Sequence, residues 1–429
     1  MAANSFVTPN WVVKETSRIA QNQLKFGANC TRKYSSDFRA GGAKVGASFN
    51  LRLPQRFQTT KGQGFQQQAI ADLVVPLTIT DQANIGLSWS TFDATLSVDM
   101  VRERYVRPAA VQLANTMDFD GLTRMSVAVY HSVGTPGTTP TSIQTYLDAV
   151  TRLRNVGCPD NDLVAVLSPN MSATLVGSNP TLFNPAAAIS KNYREGQFSD
   201  GTNALGISEW YWDQNTWQRT TGSFTSCTPL VNATTFTQGM TTIVTNGWAS
   251  GATSMKKGDK FTIASVYEVN PQNYASTGQL MQLEFVGDQS DSSGNMTITF
   301  TPALTAVAAD TNGLLGGNYA NVDALPANTA AIIPVGSTIT TGAGTMTATA
   351  TRQGLVYHPE AFVFGMVDPD KDLDGATVSS VSDEETGWAM RYVKQYNAQT
   401  DQKISRLDVF YGWLAFRPEW AVAVQGGAS

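Results

Sequence analysis

The chain has 429 residues and a formal net charge of −5, enough length for two or three domains. Charged residues make up only 15%, against about 25% in typical soluble domains, so much of the surface is expected to lie against other chains. Cys30, Cys158 and Cys227 form no disulfide framework or metal spacing, and no run reaches the roughly 18 apolar residues of a membrane span. These exclude a disulfide scaffold, a zinc module and a membrane protein, and predict a soluble chain made in the cytosol.

The basic charge sits at the front. Residues 1–61 hold ten Lys and Arg against Glu15 and Asp37, a local charge of +8 that suits acidic partners, either neighbouring subunits or nucleic acid. Thr8 and Pro9 read as N-cap and first helical residue, and Val12, Val13, Ile19, Ala20 and Leu24 then share one face. This short amphipathic helix is read as an arm that docks on some other surface, with docking on its own subunit as the alternative. Residues 44–57 alternate, with Val45, Ala47, Phe49, Leu51 and Leu53 on one side. Leu73, Val75, Leu77 and Ile79 alternate again, as do Ile85, Leu87 and Trp89. With the polar, glycine-bearing Thr59–Gln68 between the first two, the pattern predicts a long two-stranded ribbon, marginal in water unless another surface supports it.

The longest helical stretch is Ser97–Gly134. Val101, Tyr105, Ala109, Leu113 and Met117 recur four apart, and Pro108 predicts a break, with helix continuing to Val133. Gly134–Pro140 reads as a linker. A helix through Ile143, Leu147, Val150 and Arg154 should stop at Gly157; Leu163–Leu167 should be a buried strand, and Ser168-Pro169 should open another helix. From Thr225 to about Thr351 the chain turns rich in Thr, Ser, Asn, Gly and Ala. Phe261, Ile263, Ser265, Tyr267 and Val269 alternate, and Met281, Leu283 and Phe285 are expected to pair with Met296, Ile298 and Phe300 across a turn at Asp291–Gly294. This is a small all-β domain inserted into an α+β host, which resumes at Leu355. Leu407–Phe416, apolar on both faces, reads as a central covered strand.

Little chemistry is encoded. His131 and His358 have no metal-ligand spacing, and no G-x-S-x-G, P-loop or H-E-x-x-H string occurs. Asp370, Asp372 and Asp374 with Gly375 open like a calcium loop. The twelfth position is Val381 where a bidentate Glu belongs, so a solvated acidic turn is the preferred reading. No cofactor and no catalytic residue is expected.

Several strings, in this order, resemble the major capsid (coat) proteins of tailed double-stranded DNA phages, the Hong Kong 97 phage fold, and among them the Salmonella podophage type with an insertion domain. They are Tyr34–Phe38 with Lys44-Val45-Gly46, Arg104–Ala114 with Asp118, Met255–Phe261, Tyr319–Val322 and Ser405–Trp420. The resemblance implies an N-terminal arm (1–43) crossing to neighbours, an extended E-loop (44–91) over an adjacent subunit, and a spine helix of the peripheral (P) domain (92–135). It further implies the axial (A) domain (136–224), the insertion (I) domain (225–350), and an A-domain return ending in a P-domain strand (351–429). It makes Arg52, Arg56, Lys61 and Phe65 candidate inter-subunit contacts, and Pro108 and Gly121 candidate bend points of the spine. Implied partners are further copies in hexamers and pentamers, a scaffolding protein, a portal, a decoration protein and packaged double-stranded DNA bound without sequence preference, in a virion assembled in the host cytoplasm. Alternatives sharing some features are an encapsulin-type compartment, a tail or adhesin β-protein, and an enzyme built on His358 and an acidic partner.

Overall fold

The computed structural model describes residues 9–32, 48–57, 73–90, 107–178, 206–307, 319–340, 342–370, 373, 375–382, 388–400 and 402–428. Thr8, Val101, Tyr105, the ribbon tip Thr59–Gln68, Asp372 and Asp374 lie outside the described residues. The chain divides into two compact units. One comprises Met1–Leu51, Val74–Arg124 and Phe362–Phe416; the other comprises Arg52–Leu73, Met125–Ala361 and Arg417–Ser429. The stretch 351–429 therefore contributes to both.

The first unit is built on a five-stranded antiparallel sheet. Its spine is the strand Gln402–Ala415, whose residues from Leu407 to Trp413 are buried. Ala389–Asn397 and Phe362–Val367 pair with one side of it and Asp81–Ser90 with the other, while Thr377–Ser382 extends the sheet beyond Ala389–Asn397. A strand buried on both faces has to be apolar on both, as most of the run Leu407–Phe416 is. Helix α1 (Pro9–Gln23) packs on Thr377–Ser382 and Ala389–Asn397 of its own chain. Its buried stripe is Val13, Thr16, Ser17 and Ala20, continued by Leu24. Its described part therefore docks inside its own subunit, the alternative reading of the sequence. The inward stripe needed the two small polar residues Thr16 and Ser17 to close the helical spacing.

Helix α2 (Arg107–Ala128) is the helix of the longest helical stretch read from the sequence. At 1.5 Å per residue its 22 residues span roughly 33 Å. Pro108 stands in the first turn, where its missing N–H costs no intrahelical bond. The helix ends five residues short of the expected Val133. Val129, Tyr130 and His131 are buried, and Ser132–Val133 instead joins Ala423 and Val424 as a parallel strand, with Gly134 at φ +81° turning the chain away. The buried stripe is two residues wide: Ala109 and Ala110, Leu113 and Ala114, Met117 and Asp118, Gly121 and Leu122. The ribbon pairs Ser48–Arg52 with Val74–Thr78, burying Leu51 and Leu77.

In the second unit a host sheet runs in the order Ser132–Val133, Ala421–Gly427, Ala350–Tyr357, Val164–Leu167, Glu209–Trp212, with Gln218–Thr220 also pairing Ala350–Tyr357. Helix α3 (Ile143–Asn155) lays Tyr146, Ala149, Val150 and Leu153 on Leu163, Ala165, Val356 and Val422. It begins at an N-cap, Ser142, and stops where Gly157 takes φ +76° and Cys158 N–H returns to the Leu153 carbonyl. Ser168 caps the shorter α4 (Pro169–Ser178) through the Met171 N–H.

The chain leaves this host sheet at Thr220 and rejoins it at Ala350 through a doubled neck. Thr221 N–H donates to the Thr349 carbonyl and Thr349 N–H to Thr221 Oγ1, both at 3.0 Å, and Phe224–Cys227 then pairs with Gly344–Met346. Between them lies a six-stranded sheet in the order Ile332–Pro334, Lys260–Val269, Ser276–Phe285, Met296–Leu304, Met240–Asn246, Leu230–Val231. Phe261, Phe285 and Phe300 pack at its centre; Phe285 faces Phe300, but Met296 and Ile298 lie opposite Thr245 and Ile243 instead of Leu283 and Met281. The alternation of Lys260–Val269 does not survive its length. Ser265 takes φ +63° in an irregularity of the pairing, the phase slips by one, and Val266 and Glu268 turn inward where Tyr267 was expected.

Gly121 has a packing reason. A Cβ there would stand 2.5 Å from Trp413 Cζ2. Gly121→Ala is expected to cost about 1–3 kcal/mol through overpacking, despite alanine's better helix propensity. Urea melts of a double-mutant cycle with Trp413→Phe check this: the narrower ring should make the methyl cheaper, and additive effects would sink the account.

Candidate functional site

In the first unit, Asp118 closes a gap in the leading segment. After α1 the chain turns at Gly27–Asn29, which leaves backbone donors without helical partners. The buried Asp118 carboxylate accepts from Lys25 N–H at 2.8 Å, Gly27 N–H at 2.9 Å and Phe26 N–H at 3.4 Å. Two residues on, Tyr411 O–H donates to Asp120 at 2.5 Å, and burial followed by the Asp120 contact pushes that hydroxyl well above its ordinary range. Asp408, fully buried, holds Arg391 Nη2 at 2.8 Å and Arg406 Nε at 2.5 Å. Trp413 stacks on Phe26 and Phe364 at 5.2 and 4.3 Å between ring centres. The string Ser405–Phe416 is thus a row of anchors, each with a named partner.

In the second unit the ribbon root enters beside the chain's last strand. Leu53 N–H bonds the Leu73 carbonyl, Arg56 pairs with Glu419 at 3.2 Å, and the Arg417 guanidinium lies 4.0 Å over Trp420. A cleft of about 290 Å³ opens here, lined by Arg56, Tyr130, Glu268, Tyr319 and Glu419 among others. Phe57, the last described residue before the tip, is 61% exposed, although a large apolar side chain left in water is costly unless something covers it.

The inserted domain is fastened to the host by a buried polar clasp. His131 Nε2 lies 3.1 Å from Glu268 Oε1, and Arg152 Nη2 lies 3.7 Å from Glu268 Oε2 while donating to the Leu280 carbonyl at 2.9 Å. Gln282 completes it like a strand in miniature: its Oε1 accepts Ser132 N–H and its Nε2 donates to the Ser132 carbonyl. Glu268 is 3% exposed and His131 wholly buried. Burial pushes the His131 imidazole below its ordinary value, more than the Glu268 charge raises it. Burial alone would raise the Glu268 carboxyl, yet His131 and Arg152 together hold it below the ordinary carboxylate value.

Within the insert, Asp259 of the Met255–Phe261 string is the keystone of a tight turn. It accepts Lys256 N–H and Gly222 N–H at 2.8 Å and pairs with Arg219. Next to it Lys260 and Glu284 face each other at 3.0 Å, almost wholly buried; burial pushes the Glu284 carboxyl up to about 7 and the Lys260 ammonium down.

Of the residues singled out from the sequence, Arg56 sits at the ribbon root and Arg52 stands exposed at the end of its strand. Lys61 and Phe65 lie outside the described residues. The Asp370 carbonyl accepts from Arg391 Nη1 at 2.6 Å, and among the described residues no group of three His, Cys, Asp or Glu is placed to hold a metal ion. His358 Nδ1 accepts the Glu360 N–H and its ring meets Trp420 edge-on. The clasp escaped sequence reading because its members are far apart in the chain; the one local signal was a glutamate inside an apolar strand. No helix among the described residues is long and apolar enough to cross a membrane.

Residues 1–426 match the family model described as P22 coat protein, gene protein 5. No curated protein matches the chain in sequence. Among solved structures it is similar to one titled Mycobacterium phage Che8, at 13% identity over 94% of this chain and 90% of that chain, with a TM-score of 0.44. It is similar to a virus-like particle from Pyrococcus furiosus at 6% identity, over 96% and 97% of the two chains, with a TM-score of 0.39. Over 28% of its length it is similar to the CUS-3 coat protein I-domain, at 26% identity and 98% of that chain, with a TM-score of 0.18.

Both clasp groups bind protons less readily in the folded chain than in the unfolded one, so each contributes stability that is lost as pH falls. The loss should begin as pH drops through the ordinary histidine value of 6.5 and deepen through the carboxylate value of 4.5. Urea midpoints should fall between pH 7.5 and 5.5, and His131→Asn should flatten that dependence. Glu268→Gln should cost about 3–5 kcal/mol by leaving Arg152 buried beside a neutral group. A pH-independent midpoint in the unaltered chain would contradict the assignment.

Proposed function

The chain belongs to the P22 coat protein family, and from that premise we infer that it is the major capsid protein that closes into the icosahedral shell of a tailed double-stranded DNA phage. The match over residues 1–426 carries the reading. Its fold is the α+β Hong Kong 97 phage type with an inserted β domain, and its role is structural. Copies gather as hexamers and pentamers. Contacts that are weak one by one become cooperative when the shell closes. The sparse charge of the chain and the exposed Phe57 on the ribbon root fit surfaces meant for other copies.

Assembly begins as a precursor shell on a scaffolding protein around a portal, in the host cytoplasm. Packaging of double-stranded DNA then drives a rearrangement, and a decoration protein joins the outer surface. In this scheme the E-loop reaches a neighbour through Arg52, Arg56, Phe57, Lys61 and Phe65. The spine bends at Pro108 and Gly121, and a bend at Gly121 has to carry Trp413 with it, because the indole lies against that residue. Negative-stain images of the purified chain, alone and with its scaffolding protein, test the reading. Closed, uniform shells are expected, and Phe57→Ser should leave the monomer's melt unchanged while lowering shell yield at least tenfold. Failure to form closed particles at any concentration, with or without the scaffold, contradicts it.

A further inference from the structure

The chain has two Asn-Gly dipeptides, Asn246-Gly247 and Asn312-Gly313, and the first lies among the described residues. Asparagine is a thermolabile side chain, most of all before glycine, where no Cβ shields the next backbone nitrogen. Asn246 closes the strand Met240–Asn246 of the inserted domain, directly opposite Leu230. Gly247 stands just outside the ladder at φ +79°, and a Cβ there would run into the Thr228 carbonyl oxygen. Glycine is therefore required at this position, and residue 246 always precedes one.

The hydrogen bonds around this turn single out two groups. Thr228 N–H donates to the Gly247 carbonyl at 3.1 Å, Trp248 N–H to the Gly294 carbonyl at 3.2 Å, and Trp248 Nε1 to Thr245 Oγ1 at 2.8 Å. The Gly247 N–H between them has no acceptor among the described residues, and the Asn246 side-chain amide makes no hydrogen bond there. Other asparagines of the insert use theirs. Asn270 Oδ1 accepts the Gln272 N–H and Asn273 Oδ1 the Ala275 N–H, both at 2.9 Å, while Asn321 holds the Thr305 N–H and the Ala303 carbonyl. Gly247 is exposed and Asn246 half-buried, so water reaches the pair.

We propose that Asn246 is a site of spontaneous covalent rearrangement, closing a succinimide with Gly247 and reopening as aspartate or isoaspartate. The Gly247 nitrogen bonds Asn246 Cγ, and its proton leaves with the side-chain amino group as ammonia. Attacker and target belong to neighbouring residues, so little entropy is lost in bringing them together. The bonds that hold the turn act on the Gly247 carbonyl and on Trp248, and leave the attacking nitrogen unengaged. One water then adds to either carbonyl of the ring. Opening on one side restores the ordinary chain with a carboxylate at position 246. Opening on the other routes the main chain through the former side chain and lengthens it by one carbon. No enzyme, cofactor or oxidant is consumed. Either product adds a negative charge, and the longer backbone no longer matches Leu230 across the ladder. The inference stands apart from the coat-protein reading, since a single chain carries the whole site.

Peptide mapping of the full chain by mass spectrometry, after storage in mildly alkaline buffer, tests it. The fragment carrying Asn246 should gain the mass that separates an acid from an amide and split into two chromatographic peaks, aspartate and isoaspartate. Conversion should be at least tenfold faster than at Asn270, Asn273 or Asn321; a smaller ratio overturns the proposal. Cleavage after Arg219 and Lys256 places Asn312-Gly313 in a different fragment, so it does not contribute. Asn246→Gln keeps a neutral amide but demands a slower, six-membered closure. This variant should leave the urea melt of the fresh chain unchanged and lower conversion of the fragment at least tenfold. Conversion that persists in the variant overturns the proposal, because the change then lies at another residue.

Discussion

The first unit depends on the contact between Trp413 and Gly121. The indole needs a flat, bare patch of helix to lie on, and α2 supplies it at the one position without a Cβ. On its remaining faces the ring meets Phe26 from the leading segment and Phe364 from the adjacent strand. Helix, sheet and leading segment are thereby fixed to one side chain. Asp118, three residues before the glycine, ties down the same leading segment by its backbone donors. The aromatic contact contributes non-directional burial and the carboxylate contributes direction, so the segment is held both in place and in orientation.

The second unit solves a different problem. A β domain inserted into a host sheet must be held by more than two strands of chain. The clasp of His131, Arg152, Glu268 and Gln282 does this with polar groups out of water. Such a cluster adds less stability than an apolar patch of equal size, because desolvation offsets most of the attraction. It is far more particular about position, since each group left without its partner is costly. The Asp259 turn and the Lys260–Glu284 pair extend the same strategy into the insert.

Where side-chain period and local signals act alone, the structure follows the sequence. The ribbon strands, the long central strand and the stop of α3 at Gly157 were legible because alternation, two-sided apolarity and a left-handed glycine are local facts. Departures come from long-range pairing. Val129–Val133 has helical spacing in sequence, but the partner Ala423–Val424 takes it as strand. The slip at Ser265 inverts the faces of the following residues, and no periodic pattern announces a single bulge. The docking of α1 on its own sheet turned on Thr16 and Ser17, polar residues that a hydrophobic pattern passes over. The clasp is the extreme case, since its four members come from three separate parts of the chain.

The doubled neck has a consequence for ancestry. Thr221 and Thr349 are hydrogen-bonded neighbours, so the entire stretch between them begins and ends at one point of the host. A polypeptide with that stretch deleted and a tight turn put in its place keeps the host strand pairing Ala350–Tyr357 with Ala421–Gly427 and Val164–Leu167 intact. Acquisition or loss of the module is then a recombination event at a single point of the host, although loss also strips His131, Ser132 and Arg152 of Glu268 and Gln282, so the host face under the clasp has to change with it.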